Sequence, residues 1–111
     1  MSRLVDALGE FVAGTPWESI PEPVRQRARL VLLDTLGVML AGSGEPEVSA
    51  LRAALCGTES GVSTVLAPEW LRTSSRTAAL LNGIAGRSIE LCEGHRFVSC
   101  QAGVQIIPGV L

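Results

Sequence analysis

The segment RTAALLNGIAGRSIEL, residues 76–91, decides how this chain can fold. A serine at position 74 or 75 can cap a helix that begins there, because its hydroxyl can accept a hydrogen bond from a free main-chain N–H of the first turn. Six residues of this helix leave little side-chain bulk on its surface: Ala78, Ala79, Asn82, Gly83, Ala85 and Gly86. We therefore predict a helix here, with another helix packed closely against it.

Two further helices are predicted from periodicity and from their end signals. Apolar residues recur at helical spacing from Leu4 to Val12, with Ser2 as a candidate N-cap and Gly14 at the end. Pro46 suits the first turn of a later helix, where a missing N–H is tolerated, and Gly57 ends that helix.

Between these two lies a long helix that begins near Pro21 or Pro23 and contains the apolar run LVLLDTLGVMLAG at residues 30–42. The run is apolar nearly all round, so we expect it to pack against neighbours on several sides. Asp34 lies inside it, and a buried carboxylate needs a partner. We favour a hydrogen-bonded structural role for Asp34 over a catalytic one.

The segment GVSTVLAPEW, residues 61–70, is the one β-like stretch, and Pro68 ends it. It predicts at most one short strand near residues 62–66. The fold class that we predict is therefore all-α.

Composition excludes several classes of protein. Nine basic and eleven acidic residues are spread without blocks, for a net charge of −2, so we expect no nucleic-acid partner. The run at residues 30–42 is well short of the roughly 20 apolar residues that span a bilayer, and no secretory signal is visible. We therefore expect a cytoplasmic protein without a membrane partner, whose three cysteines are reduced.

Titratable side chains are concentrated in ELCEGHRFVSCQAG, residues 90–103. If the preceding helix continues to Gly94, Glu90 and Glu93 share one face and can divide acid and base duties beside His95. The same residues can equally form a solvated helix end, with Gly94 as the C-cap and Arg96 near the last carbonyls. Arg87, one turn earlier, can anchor an anion or simply lie on the helix surface.

Metal and nucleotide sites are poorly supported. Cys92, His95 and Cys100 offer three zinc ligands, but a structural zinc site needs four, and Cys56 is distant in sequence. No glycine-rich phosphate-binding motif is present. We expect no metal.

The order of four segments resembles that of the MmgE/PrpD family, which includes 2-methylcitrate dehydratase and cis-aconitate decarboxylase. These segments are LLDTLGVMLAG, AALLNGIAGRSIEL, ELCEGHRF and GVQIIPGVL. The resemblance runs from about Val5 to Leu111 and implies the N-terminal part of that family's helical domain. Residues 1–111 would then be an incomplete helical domain without the family's α/β lid.

The resemblance also implies a function. Family members are lyases that remove water or carbon dioxide from tricarboxylate-like acids without an iron–sulfur cluster, and we expect no cofactor. It implies proton transfer by Glu90, Glu93 or His95, and anchoring of substrate carboxylates by Arg96, Arg87 and Gln101.

Three positions depart from the family pattern. Cys92 replaces the commoner acidic residue, and Gln101-Ala102 replaces a His-Pro pair whose histidine belongs to the family's active site. Glutamine cannot carry a proton in the useful pH range. A second hypothesis is therefore a non-catalytic relic or helical assembly module. In either case the apolar helix faces predict a homo-oligomer.

Overall fold

The structure, a computed structural model, describes residues 3–95 and 97–111. Helical residues make up 64% of it, which confirms the predicted all-α class. The α-helices in the described residues are α1 (Arg3–Gly14), α2 (Glu22–Gly42), α3 (Pro46–Cys56), α4 (Ser75–Ser88) and α5 (Ala102–Ile106). Two-residue strands β1 (Ser63–Thr64) and β2 (Arg72–Thr73) and short 3₁₀ helices at Trp17–Ser19 and Ile107–Gly109 complete it.

The chain is divided into two compact units, one that ends at Leu30 and one that begins at Val31. In the first unit, α1 has no buried residue, and its apolar side chains are all exposed: Leu4, Val5, Leu8, Phe11 and Val12. The ring of Trp17 lies 6.0 Å from the guanidinium carbon of Arg25 and 5.5 Å from that of Arg29. Glu22 forms ion pairs with both arginines. The predicted N-cap of α1, Ser2, lies outside the described residues.

In the second unit, α4 is the helix around which the other elements pack. A Cβ atom on Gly86 would stand 2.6 Å from Val104 Cγ2 and 3.2 Å from Met39 Cγ, so α2 and α5 both reach this helix at a glycine. Ser74 is the N-cap, and its hydroxyl accepts a hydrogen bond from the Thr77 N–H at 3.3 Å. The predicted cap and the predicted close helix approach are both confirmed.

The predicted strand is present at Ser63–Thr64, and β2 is an antiparallel partner that the sequence analysis did not predict. A strand needs a partner because its main-chain N–H and C=O groups cannot pair within the strand. The side chain of Asn82 in α4 completes the pairing: its Oδ1 accepts from the Leu66 N–H at 2.8 Å, and its Nδ2 donates to Thr64 O at 3.0 Å.

Helix α2 departs from the prediction. Asp34 is exposed, and no hydrogen bond to its carboxylate is present among the residues that the structure describes, so the expectation of a buried structural Asp34 was wrong. Leu32, Leu33 and Leu40 are exposed as well. The helix is buried along one side, by Thr35, Val38 and Met39. No helix within the described ranges has both the length and the apolar character needed to cross a bilayer.

Candidate functional site

Helix α4 ends earlier than predicted, and this rearranges the acidic turn. Its last residue is Ser88, and Glu90 takes a left-handed backbone conformation with φ 55°. The Glu90 N–H donates to Arg87 O at 3.2 Å, in the position where a glycine more often ends a helix. Glu90 and Glu93 therefore do not share a helix face, and Gly94 is not a C-cap. Both predictions were wrong, because they assumed a helix that continues to residue 94.

Arg87 holds the turn together through its guanidinium. Its Nη2 donates to both carboxylate oxygens of Glu90, at 2.8 and 3.1 Å. Its Nη1 donates to Cys92 Sγ at 3.0 Å and to Gln101 Oε1. The structure thus brings together three of the predicted site residues and Cys92. The hydrogen bond to Cys92 raises the pKa of Arg87, so this guanidinium stays positively charged at any working pH.

Glu93 points away from this cluster and toward α5. The side chain is half-buried, and its Oε1 accepts a hydrogen bond from the Gly103 main-chain N–H in the first turn of that helix. Its Oε2 is buried and finds no hydrogen-bond partner among the described residues. Glu93 therefore ties the acidic turn to the start of α5.

His95 lies at the base of a small exposed loop. The main-chain N–H of His95 donates to Cys100 O at 2.8 Å, and the main-chain carbonyl of His95 accepts from the Val98 N–H at 3.1 Å. Ser99 closes the loop with a left-handed backbone, φ 47°. His95, together with Cys100 and Gln101, lines an open depression of about 380 Å³.

A second concavity runs along α4. It has a volume of about 620 Å³, and its lining includes Leu80, Gly83, Ile84, Arg87 and Glu90. Arg87 lines this groove, Gln101 lines the depression beside His95, and the two side chains are hydrogen-bonded to each other. This hydrogen bond thus joins a side chain from the groove to a side chain from the depression.

The remaining predicted site residues and the candidate metal ligands add little to the site. Arg96, predicted to bind substrate, lies outside the described residues. Among residues 3–95 and 97–111, no group of three or more His, Cys, Asp or Glu side chains is placed to hold a metal ion. Cys100 is exposed, and burial raises the pKa of the Cys56 thiol.

Sequence reasoning missed two residues that support the site. A Cβ atom on Gly103 would stand 2.7 Å from Thr35 Oγ1 and 2.9 Å from Glu93 Oε1, so a helix residue of α2 reaches the acidic turn across this glycine. Thr35 is fully buried, whereas the neighbouring Asp34, for which a buried structural role was predicted, is exposed. The available signal was the position of Thr35 on the buried side of the second helix.

Fold and site together define a helical domain with a polar turn, built on an arginine, beyond the end of one tightly packed helix. The model of the MmgE/PrpD N-terminal domain family matches residues 6–111, and the chain belongs to this family. Comparisons with curated proteins and with solved structures found no match.

Proposed function

We propose that this chain is the N-terminal part of a MmgE/PrpD-type lyase that removes water or carbon dioxide from a small di- or tricarboxylic acid. Family membership supports the reaction class. The observation that carries the proposal is the charged Arg87 guanidinium, which lines the groove and is hydrogen-bonded to Gln101 of the depression. A carboxylate substrate needs a fixed cation to orient it, and Arg can bind a carboxylate through two parallel hydrogen bonds.

The geometry supports a division of roles among the predicted residues. Arg87 and Gln101, with Arg96 from the sequence, bind substrate carboxylates. His95 faces the depression beside Gln101 and is the best placed of the three proton-transfer candidates. Glu90 lines the groove and can act with His95 once substrate displaces it from Arg87. Glu93 is the third candidate, and one of its oxygens is engaged by Gly103.

The chemistry also sets what else the protein needs. An acid/base pair and carboxylate anchors suffice for loss of water or carbon dioxide, so the proposal requires no cofactor. We propose a cytoplasmic homo-oligomer without nucleic-acid or membrane partners. Residues 1–111 form an incomplete helical domain in this proposal, and further chain closes the site.

Turnover tests the proposal directly. The 111-residue chain is expected to leave 2-methylcitrate and cis-aconitate unchanged, while a longer chain that carries the rest of the family's sequence converts one of them. A properly folded family-length protein without activity on any di- or tricarboxylic acid would contradict the proposal.

Binding gives a second test on the chain itself. Citrate added to the ¹⁵N-labelled protein should shift the signals of Arg87 and Gln101 and of their neighbours. Arg87→Gln should abolish these shifts. Arg76→Gln, which changes an exposed arginine in the first turn of the same helix, is the matched control and should leave them intact. Equal loss in both variants would indicate non-specific charge attraction.

One observation favours the second candidate, a non-catalytic relic or assembly module. The two terminal nitrogens of the Arg87 guanidinium already donate within the chain, to Glu90, Cys92 and Gln101, so substrate must compete for them. Cys92→Asp, Gln101→His and Ala102→Pro, made together in the family-length chain, restore the family pattern. A gain of activity supports the lyase, and no gain supports the relic.

A further inference from the structure

Two buried side-chain oxygens without hydrogen-bond partners, Thr35 Oγ1 and Glu93 Oε2, belong to residues that both approach Gly103. Thr35 in α2 is 0% exposed, and its Oγ1 has no partner among the described residues. Glu93 Oε2 is also buried and also has no partner among the described residues. Both side chains contact the place where a Cβ of Gly103 would stand, at 2.7 Å for Thr35 Oγ1 and 2.9 Å for the Glu93 carboxyl carbon and Oε1.

The chemistry of the two groups is complementary. A threonine hydroxyl can donate one hydrogen bond, and an ionised carboxylate oxygen can only accept. Leaving either group unpaired in the interior costs free energy, and a hydrogen bond to a charged group is stronger than one between neutral groups. Thr35 Oγ1 and Glu93 Oε1 lie 2.7 and 2.9 Å from the same point, the Cβ position of Gly103, so a rotation of either side chain is the movement that would pair the hydroxyl with the carboxylate.

We infer that Thr35 is a positioning residue for the acidic turn: its hydroxyl donates to the Glu93 carboxylate and so holds the start of α5. The chain of contacts runs from Thr35 to Glu93, from Glu93 to the Gly103 N–H, and from the N-cap residue Gln101 to Arg87. Gly103 is required in this arrangement because a Cβ atom there would stand 2.7 Å from Thr35 Oγ1 and 2.9 Å from Glu93 Oε1.

Through these contacts, Thr35 in α2 would help to hold Arg87 and Gln101, the proposed substrate-binding pair. In that respect the inference rests on the proposed function. The contact itself is tested without turnover or substrate. Its failure would leave the lyase proposal standing, and an inactive lyase would leave the contact standing.

The decisive variant is Thr35→Val, which keeps the shape of the side chain and removes the hydroxyl. If the hydroxyl holds Glu93, the variant melts lower, by about 4–8 °C, a shift typical of one lost interaction in a domain of this size. If the hydroxyl is unpaired, the variant melts at the same temperature or higher, because an unsatisfied buried group has been removed. Thr73→Val is the matched control, since Thr73 is also 0% exposed with an unpartnered Oγ1. It should not lower the melting temperature.

A local readout separates positioning from general packing. The Gly103 amide should exchange its hydrogen about tenfold faster in Thr35→Val, and its ¹H shift should move. Thr35→Ser keeps the hydroxyl and should preserve both signals even if it melts lower through lost packing. In a Glu93→Ala background, the effect of Thr35→Val should disappear.

The outcomes are distinct. A raised or unchanged melting temperature in Thr35→Val, with Gly103 protected as in the parent, overturns the inference. So does an undiminished effect in the Glu93→Ala background. If Thr35→Val or Glu93→Ala does not fold, Glu93→Gln and Thr35→Ser decide. Glu93→Gln must weaken Gly103 protection and Thr35→Ser must keep it, and the reverse result rejects the inference.

Discussion

Gly42, the last residue of α2, lies directly against the main chain of Ala85 in α4. A Cβ atom at residue 42 would stand 2.9 Å from the Ala85 carbonyl carbon and closer still to its oxygen. The Ser88 hydroxyl also donates to Gly42 O, at 3.3 Å. Two helix backbones therefore meet at this point, and a methyl group could be accommodated only if one helix moved.

Gly42→Ala should lower the free energy of unfolding by about 1–3 kcal/mol, the usual cost of overpacking, because a backbone cannot move aside as a side chain can. Gly37→Ala is the control in the same helix. A Cβ there meets nothing within 4 Å, so the change should raise stability by up to about 1 kcal/mol through helix propensity. Urea denaturation measures both. Equal effects in the two variants would contradict the close approach.

Asn82 is 1% exposed and joins α4 to the segment that contains β1. Asn82→Ala should lower the free energy of unfolding by about 2–3 kcal/mol, because it leaves the Leu66 N–H and the Thr64 carbonyl without partners. Gln105→Ala, which removes an exposed amide from α5, should cost less than about 0.5 kcal/mol. Equal denaturation midpoints for the two variants would argue against this bridge.

Glu59 links the loop after α3 to the start of α4. It accepts hydrogen bonds from the hydroxyls of Ser74 and Thr77, and these lower the pKa of the Glu59 carboxyl. A pKa that is lower in the folded state contributes stability above the unfolded value, about 4.3, and this contribution is lost as the pH falls through the folded value.

Glu59→Gln should therefore flatten the fall in melting temperature below about pH 4.3. The difference from the parent should be largest near neutral pH and should shrink as the pH falls. It should stay small, because the group is exposed and solvent screens it. Glu10→Gln, at an exposed glutamate of α1, serves as the control. A pH profile that is the same for Glu59→Gln and the parent would contradict the hydrogen-bond assignment.

The apolar side chains of α1 predict self-association. Leu8 and Phe11 are 60% and 65% exposed, and such surfaces drive association in water. We expect dimers or larger species at micromolar concentration by light scattering. Replacing both residues by glutamine should lower the mass, and Arg3→Gln in the same helix should not. A monomeric parent with a cooperative melt would contradict the prediction.

The helices α1 to α4 could be predicted because their signals are local. Pro46 and Gly57 bracket α3, and Ser74 caps α4. Each of these residues acts on main-chain groups within a turn of itself, so sequence spacing is enough to locate it. The family resemblance was available for the same reason, since it rests on the order of such segments, and the family match confirms it.

The acidic turn could not be derived in this way. Its residue types predicted a polar site, but spacing alone suggested a helix face shared by Glu90 and Glu93. The left-handed conformation of Glu90 accompanies an ion pair with Arg87, which in turn contacts Gln101. That last contact spans 14 residues, and no local pattern encodes it.

The sequence by itself thus determined where the helices α1 to α4 lie, which family the chain resembles and which stretch carries the predicted chemistry, but not where α4 ends. Only the tertiary structure decided which carboxylate faces solvent and which faces α5, and that Thr35 rather than Asp34 is buried. The physical reason is that propensity and capping act within one turn of chain. The burial and pairing of a side chain depend instead on atoms brought close by packing at residues such as Gly42, Gly86 and Gly103.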